Sequence, residues 1–158
     1  MTFDRNYVEK LKENQEYDAL FSYCQEFTTS DDWEAIYELS DCYYYGYGVA
    51  QDYKKSFYYT YKAAFAGLPR AQRGLAYCYY SGKGVDVDYT LAFKWYKKAA
   101  EQGDMVAQTR LGGCYYLGEG TIVDYKLAFK WYREAAEQGE IKAQLFLAQF
   151  FANGYGVE

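Results

Sequence analysis

The chain has 158 residues, 51% of them hydrophobic and 22% aromatic, with a formal net charge of −5. That is one domain by size with enough apolar side chain to build a core, which excludes a disordered chain. The acidic balance argues against nucleic-acid binding, and the lack of any histidine removes the commonest general base and metal ligand.

The start of the chain carries most of the negative charge. Residues 1–41 hold 11 acids and 3 bases, whereas residues 42–158 hold 11 acids and 14 bases. The first residues lack the basic and apolar regions of a secretory signal, and no apolar run approaches the ~18 residues of a membrane span. A cytoplasmic location is expected. A short helix is predicted from about Arg5 to Glu13, with Tyr7, Val8 and Leu11 on one side. A second helical stripe follows at Tyr17, Leu20, Phe21, Cys24 and Phe27. Residues 1–32 therefore read as a degenerate repeat or a pair of capping helices, whose acidity suits the polar outer face that ends an array.

From Trp33 onward the chain repeats every 36 residues: Ala35, Ala71, Ala107 and Ala143 fall in step, as do Gly46, Gly82, Gly118 and Gly154, then Gly48, Gly84, Gly120 and Gly156. The run Leu91-Ala92-Phe93-Lys94-Trp95-Tyr96 returns unchanged 36 residues later as Leu127-Ala128-Phe129-Lys130-Trp131-Tyr132. A fixed period of this length signals a stacked repeat architecture. Residues 33–158 hold three full units and half of a fourth.

One unit reads as two helices and two turns. The first helix is predicted over about Pro69 to Ser81, with proline at the first helical position and an apolar face of Ala71, Leu75, Cys78 and Tyr79. Gly82-Lys83-Gly84 breaks it. The second helix is predicted to begin at Asp88, a capping residue matched by Asp52 and Asp124, and to bury Ala92, Trp95, Tyr96 and Ala99. Gly103 ends that helix and Asp104 can cap the next. Glu101-Gln102 and Glu137-Gln138 read as solvated helix ends.

Little here points to chemistry. Cys42, Cys78 and Cys114 lie 36 apart, so stacking separates them by about 10 Å, beyond the ~7 Å reach of a disulfide. With Cys24 they read as reduced, buried, small apolar residues. The Gly-x-Gly turns lack the Lys-Ser/Thr of a phosphate loop and follow a helix, not a strand. There is no Cys-x-x-Cys and no nucleophile–base pair, so neither an enzyme nor a cofactor is expected.

The pattern Leu111-Gly112-x-Cys114-Tyr115-x-x-Gly118-x-Gly120-x-x-x-Asp124-Tyr125-x-x-Ala128-x-x-Trp131-Tyr132-x-x-Ala135-Ala136-Glu137-Gln138-Gly139 resembles the Sel-one-like repeat family, solenoid relatives of the tetratricopeptide repeat. Thr121, Ser56 and Tyr59 depart from the usual valine, alanine and tryptophan. The resemblance implies an all-α fold, an α-α superhelix (solenoid) of antiparallel helix pairs. It also implies that the first helix of each repeat lines a concave face. On that face would lie Tyr37, Asp41, Tyr44 and Tyr45, then Arg70, Arg73, Tyr77 and Tyr80, then Thr109, Gly113 and Tyr116, and last Lys142, Leu145 and Gln149. Tyrosine and arginine favour interface hot spots. A disulfide-stapled secreted branch, with a claimed penicillin-hydrolysing activity, resembles the chain less well: its cysteine positions correspond to Ala71, Ala100, Ala107 and Ala136.

The expected function is a non-catalytic scaffold or adaptor that binds a peptide or protein segment on the concave face. A structural homo-oligomer is the alternative, because the segment 140–153 exposes Leu145, Phe146, Leu147, Phe150 and Phe151, which a further repeat or a second copy would cover. A cell-wall or β-lactam-type hydrolase ranks last.

Overall fold

The structure is a computed structural model and describes residues 2–154; Gly156, the fourth member of the second glycine series, lies outside them. The described residues form nine helices and no strands: α1 Arg5–Glu13, α2 Tyr17–Gln25, α3 Trp33–Tyr45, α4 Tyr53–Phe65, α5 Pro69–Ser81, α6 Tyr89–Glu101, α7 Met105–Leu117, α8 Tyr125–Glu137 and α9 Ile141–Asn153. From α3 on, every helix has 13 residues. Each packs mainly on its neighbours in the chain, α3 on α4, α4 on α5, and so on, so the architecture is an all-α solenoid.

The sequence sets each helix end. The aspartates cap as their position requires: Asp88 accepts from the Leu91 N–H at 2.8 Å, Asp124 from Leu127 at 2.9 Å, and Asp104 from Ala107 at 2.8 Å. The Asp88 N–H also donates to the Tyr79 carbonyl at 2.9 Å, and Asp52 and Asp124 repeat that bond to Tyr43 and Tyr115. Each aspartate thus closes a helical hairpin and starts its second helix with the same residue.

The two glycines of each turn do different work. Gly82 ends α5 in the left-handed region, with φ +72°. Gly84 is also left-handed, and it presses on the preceding repeat: a Cβ there would lie 2.1 Å from the Tyr53 carbonyl oxygen at the start of α4. Gly48 meets Tyr17 and Gly120 meets Tyr89 in the same way, at 2.3 and 2.0 Å. Successive repeats therefore touch backbone to backbone, and the alanines at the helix crossings are fully enclosed: Ala35, Ala71, Ala107 and Ala143 all show 0% exposure.

A glutamine chain adds a polar seam. Buried Gln72 donates to the Ala64 carbonyl at the end of α4 and accepts from Gln102 at 2.7 Å. Gln108 and Gln138 repeat the arrangement one unit on. Gln102 and Gln138 are exposed, as the sequence suggests, but their amides tie adjacent repeats together. At the N-terminal end α2 stops at Gln25, earlier than the stripe predicts, and a turn returns Phe27 to the small core around Phe3 and Tyr23.

Replacing Gly84 or Gly120 by alanine is expected to cost about 3 kcal/mol or more, because a backbone carbonyl blocks the new methyl. Gly103→Ala, left-handed but facing open space, is expected to cost only about 1–2 kcal/mol. Urea unfolding of the three variants measures the difference, and equal losses would contradict the backbone contact.

Candidate functional site

The first helices α3, α5, α7 and α9 line two depressions that share Tyr96, Val106 and Arg110, so together they form one continuous groove. The first, of about 390 Å³, is bordered by Tyr37, Asp41, Tyr44, Tyr45, Arg73 and Tyr77. The second, of about 430 Å³, is bordered by Tyr80, Thr109, Gly113, Tyr116 and Lys142, and Gln149 lines a small recess beyond Tyr116. Thirteen-residue helices crossing at alanine present the same face in every repeat, which is why residues 36 apart meet along one line.

Three expected groove residues line neither of these two depressions: Gln149, in the recess, Leu145 and Arg70. Leu145 is 62% exposed on α9. Arg70 is drawn into an ion cluster: its guanidinium lies 2.7 Å from Glu38, 3.1 Å from Glu34 and 3.7 Å from Asp41, and stacks over the Tyr37 ring. Arg73, expected on the open face, pairs with the helix cap Asp104 at 3.1 Å. Thr109 is buried and donates to the Met105 carbonyl.

Other residues border the groove although no sequence motif marks them as part of it. Arg110 lines both depressions, is exposed, and has no ion-pair partner among the described residues. Its register was available: it stands 36 residues from Gly74 and from Phe146. Tyr96 and Tyr132 read as core from sequence, and their rings are core, each 2% exposed, yet both also border the groove.

The first repeat departs from the others at one spot. Tyr96 and Tyr132 correspond to Thr60, Ala92 and Ala128 to Ser56, and Ala76 and Gly112 to Ser40. The three small polar residues are buried and bond one another, Ser40 Oγ reaching Thr60 Oγ1 at 2.5 Å and the Ser56 carbonyl at 3.1 Å. The missing ring is supplied from the other helix of the pair. Tyr37 of α3 fills the space, and Gly74 makes room for it, since a Cβ there would sit 2.7 Å from the Tyr37 hydroxyl.

Electrostatics single out Asp41. Burial and the adjacent Glu38 carboxylate push its carboxyl up to about 6, despite the opposing pull of Arg70, Lys12 and Arg73. Glu38 itself is 0% exposed and held between Lys12 at 2.6 Å and Arg70. The cysteines are not activated: all four are free and buried, and burial pushes the Cys78 and Cys114 thiols up to about 12.

Because Asp41 holds its proton more tightly folded than unfolded, the stability from that protonation is present below about pH 4 and is lost as pH rises through about 6. Asp41→Asn is therefore expected to melt at a higher temperature than the parent near neutral pH, the gap closing as pH falls from about 6 to about 4. Paired melts across that range test this, and a gap independent of pH would contradict it.

No curated protein sequence matches the chain significantly. Among solved structures, a Sel1 repeat protein from Oxalobacter formigenes superposes with a TM-score of 0.86 at 30% identity, over 98% of this chain and 64% of its own. A protective antigen of uropathogenic Escherichia coli with an SLR fold superposes with a TM-score of 0.84 at 32% identity, over 99% of this chain and 38% of its own. The chain thus spans less than two thirds of either relative. Cysteine rich protein B of Helicobacter pylori shares the fold, with a TM-score of 0.62 at 24% identity over 89% of this chain and 94% of its own. Among the described residues no helix is long and apolar enough to cross a membrane. The Sel1 repeat matches residues 33–67, 69–104, 106–140 and 141–158, and with most of its length so matched the chain belongs to the Sel1 repeat family.

Proposed function

We propose that the protein is a non-catalytic scaffold that holds a peptide or protein segment in the groove of its first helices. Sel1 repeat proteins are typically protein–protein interaction scaffolds. The observation that carries the reading here is the continuity of two tyrosine-lined depressions through Tyr96, Val106 and Arg110. Tyr44, Tyr45 and Tyr77 border the first with rings that pack edge to face, the Tyr44 ring centre lying 4.8 Å from that of Tyr45 and 6.4 Å from that of Tyr77. Tyr45 and Tyr77 are 58% and 38% exposed, a large solvated aromatic area that a partner would cover.

Self-association is a second reading, favoured by α9, where Ile141, Leu145 and Phe151 are 70%, 62% and 59% exposed on one short helix. It is separable from the first by changing Leu145 and Phe151 to lysine, which leaves the groove tyrosines in place.

The test begins with affinity capture from the source cell and identification of what the full chain retains. Tyr44→Ala with Tyr77→Ala is expected to weaken that partner by about thirtyfold or more and to leave the helical circular dichroism unchanged. Undiminished binding by the double variant removes the groove as the site.

A further inference from the structure

Three tyrosines on the groove floor have a property that packing alone does not explain. Tyr37, Tyr96 and Tyr132 are 9%, 2% and 2% exposed, so their rings are core. None of their hydroxyls has a hydrogen-bond partner among the described residues, and none is sealed off. Each residue borders the groove, Tyr37 the first depression, Tyr96 both, and Tyr132 the second. A hydroxyl left unpaired in a sealed core costs about 1–3 kcal/mol, and phenylalanine would fill the same volume without that cost. Here the hydroxyls meet the groove, where a polar group from outside can satisfy them.

The arrangement is kept even where the repeat changes. Tyr96 and Tyr132 stand 36 residues apart on second helices. In the first repeat Thr60 takes that position, and Tyr37 delivers a hydroxyl from the opposite helix, over the space that Gly74 leaves. The outcome is one hydroxyl on a buried ring in each of the first three repeats, all bordering the groove. Burial raises all three phenols above their ordinary range, so each remains a neutral donor.

Charge fixes the centre of the line. Arg110 lies where the two depressions join and is close enough to Tyr96 and Tyr132 for its charge to act on both. Unlike Arg70 and Arg73, it is exposed and unpaired among the described residues. Charges of both signs lie to either side: Asp41 and the Asp104-paired Arg73 border the first depression, and Glu119, which accepts from the Tyr80 hydroxyl at 3.4 Å, borders the second with Glu140 and Lys142. The unpaired cation at the junction thus favours a negative charge at the groove's middle.

We infer that the groove takes an extended peptide segment bearing a single acidic side chain, whose backbone carbonyls accept from the Tyr37, Tyr96 and Tyr132 hydroxyls and whose carboxylate pairs with Arg110. A helix does not suit this line, because its carbonyls are already used within the helix. A small anion would occupy Arg110 and leave two or three hydroxyls unanswered. The inference rests on the scaffold reading above and adds the conformation and charge of the bound segment.

A phage-displayed library of random dodecapeptides panned on the full chain supplies the probe, the best peptide then being fluorescein-labelled for anisotropy titration. The selected peptides are expected to share one Asp or Glu, and changing it to Asn or Gln should weaken binding about tenfold or more. Arg110→Glu should cause a similar loss for that peptide and select lysine in its place. Tyr37→Phe, Tyr96→Phe and Tyr132→Phe should each weaken binding about three- to tenfold without lowering the melting temperature, as a merely structural hydroxyl would. Selected peptides that lack an acid, that ignore Arg110→Glu and the phenylalanine variants, or that turn helical on binding overturn the inference. If such peptides still fail to bind the Tyr44→Ala, Tyr77→Ala double variant, the groove reading stands and only this refinement falls. If the groove selects no peptide, both fall.

Discussion

The contact on which the rest of the structure depends is the seat of one glycine on the carbonyl of another repeat. Gly48, Gly84 and Gly120 each bring their Cα against the first residue of an earlier second helix, so close that no Cβ fits. This sets the separation between repeats by backbone, independently of which side chains lie between. Once that spacing is fixed, the helix crossings admit only small residues, and alanine at 35, 71, 107 and 143 follows from it. The capping aspartates act at the other end of the same turn and hold the second helix at a constant angle by bonding both forward and back.

A rigid frame of small contacts leaves irregular space between the helices, and aromatic rings fill it. Trp95 packs on Phe65, Phe93 on Tyr115, and Tyr132 on Phe146 and Phe150. Most of these positions admit phenylalanine as well as tyrosine on packing grounds. Tyrosine differs where the ring's far end reaches water, and on the first-helix side that end lies in the groove. The abundance of tyrosine is therefore partly structural and partly a property of one face, and only the hydroxyl environment separates the two.

Much of this frame is legible in the sequence because it is periodic. The bounds of α1, α5 and α6, the aspartate caps and the glycine turns follow from spacing and local chemistry. What is not periodic is harder to read. Arg70 and Arg73 share a helix face with Tyr77 and Tyr80, and on that ground all four face a partner. Whether an arginine is free depends on acids from other helices: Glu34 and Glu38 claim the first, and Asp104, needed as a cap, also claims the second. Arg110 does not stand out in the sequence for the converse reason, since its register mates are a glutamate, a glycine and a phenylalanine and suggest no common role. Tyr37 could not be recognised as a core residue without knowing that Thr60 vacates the volume it fills.

The acidic N-terminal segment likewise acquires a more specific meaning than a soluble cap. Three of its acids, Glu34, Glu38 and Asp41 on α3, face Arg70 of α5, and Glu38 also reaches Lys12 of α1, so Glu38 joins the capping helices to the repeats. A fully buried carboxylate held by two cations is weak evidence of added stability, because desolvation offsets most of the attraction. Its clearer consequence is directional. Removing either Lys12 or Arg70 would leave a buried charge half satisfied, so α1 is bound to this particular repeat and not to any other, whose equivalent positions hold Gly74, Arg110 and Phe146. Asp41 bears the cost of that crowding, as the acid least well compensated and the one nearest the groove. The repeats are interchangeable in their glycines and alanines, but at this register each carries a different group. The groove's chemical identity therefore lies in the residues that the repeat pattern does not require.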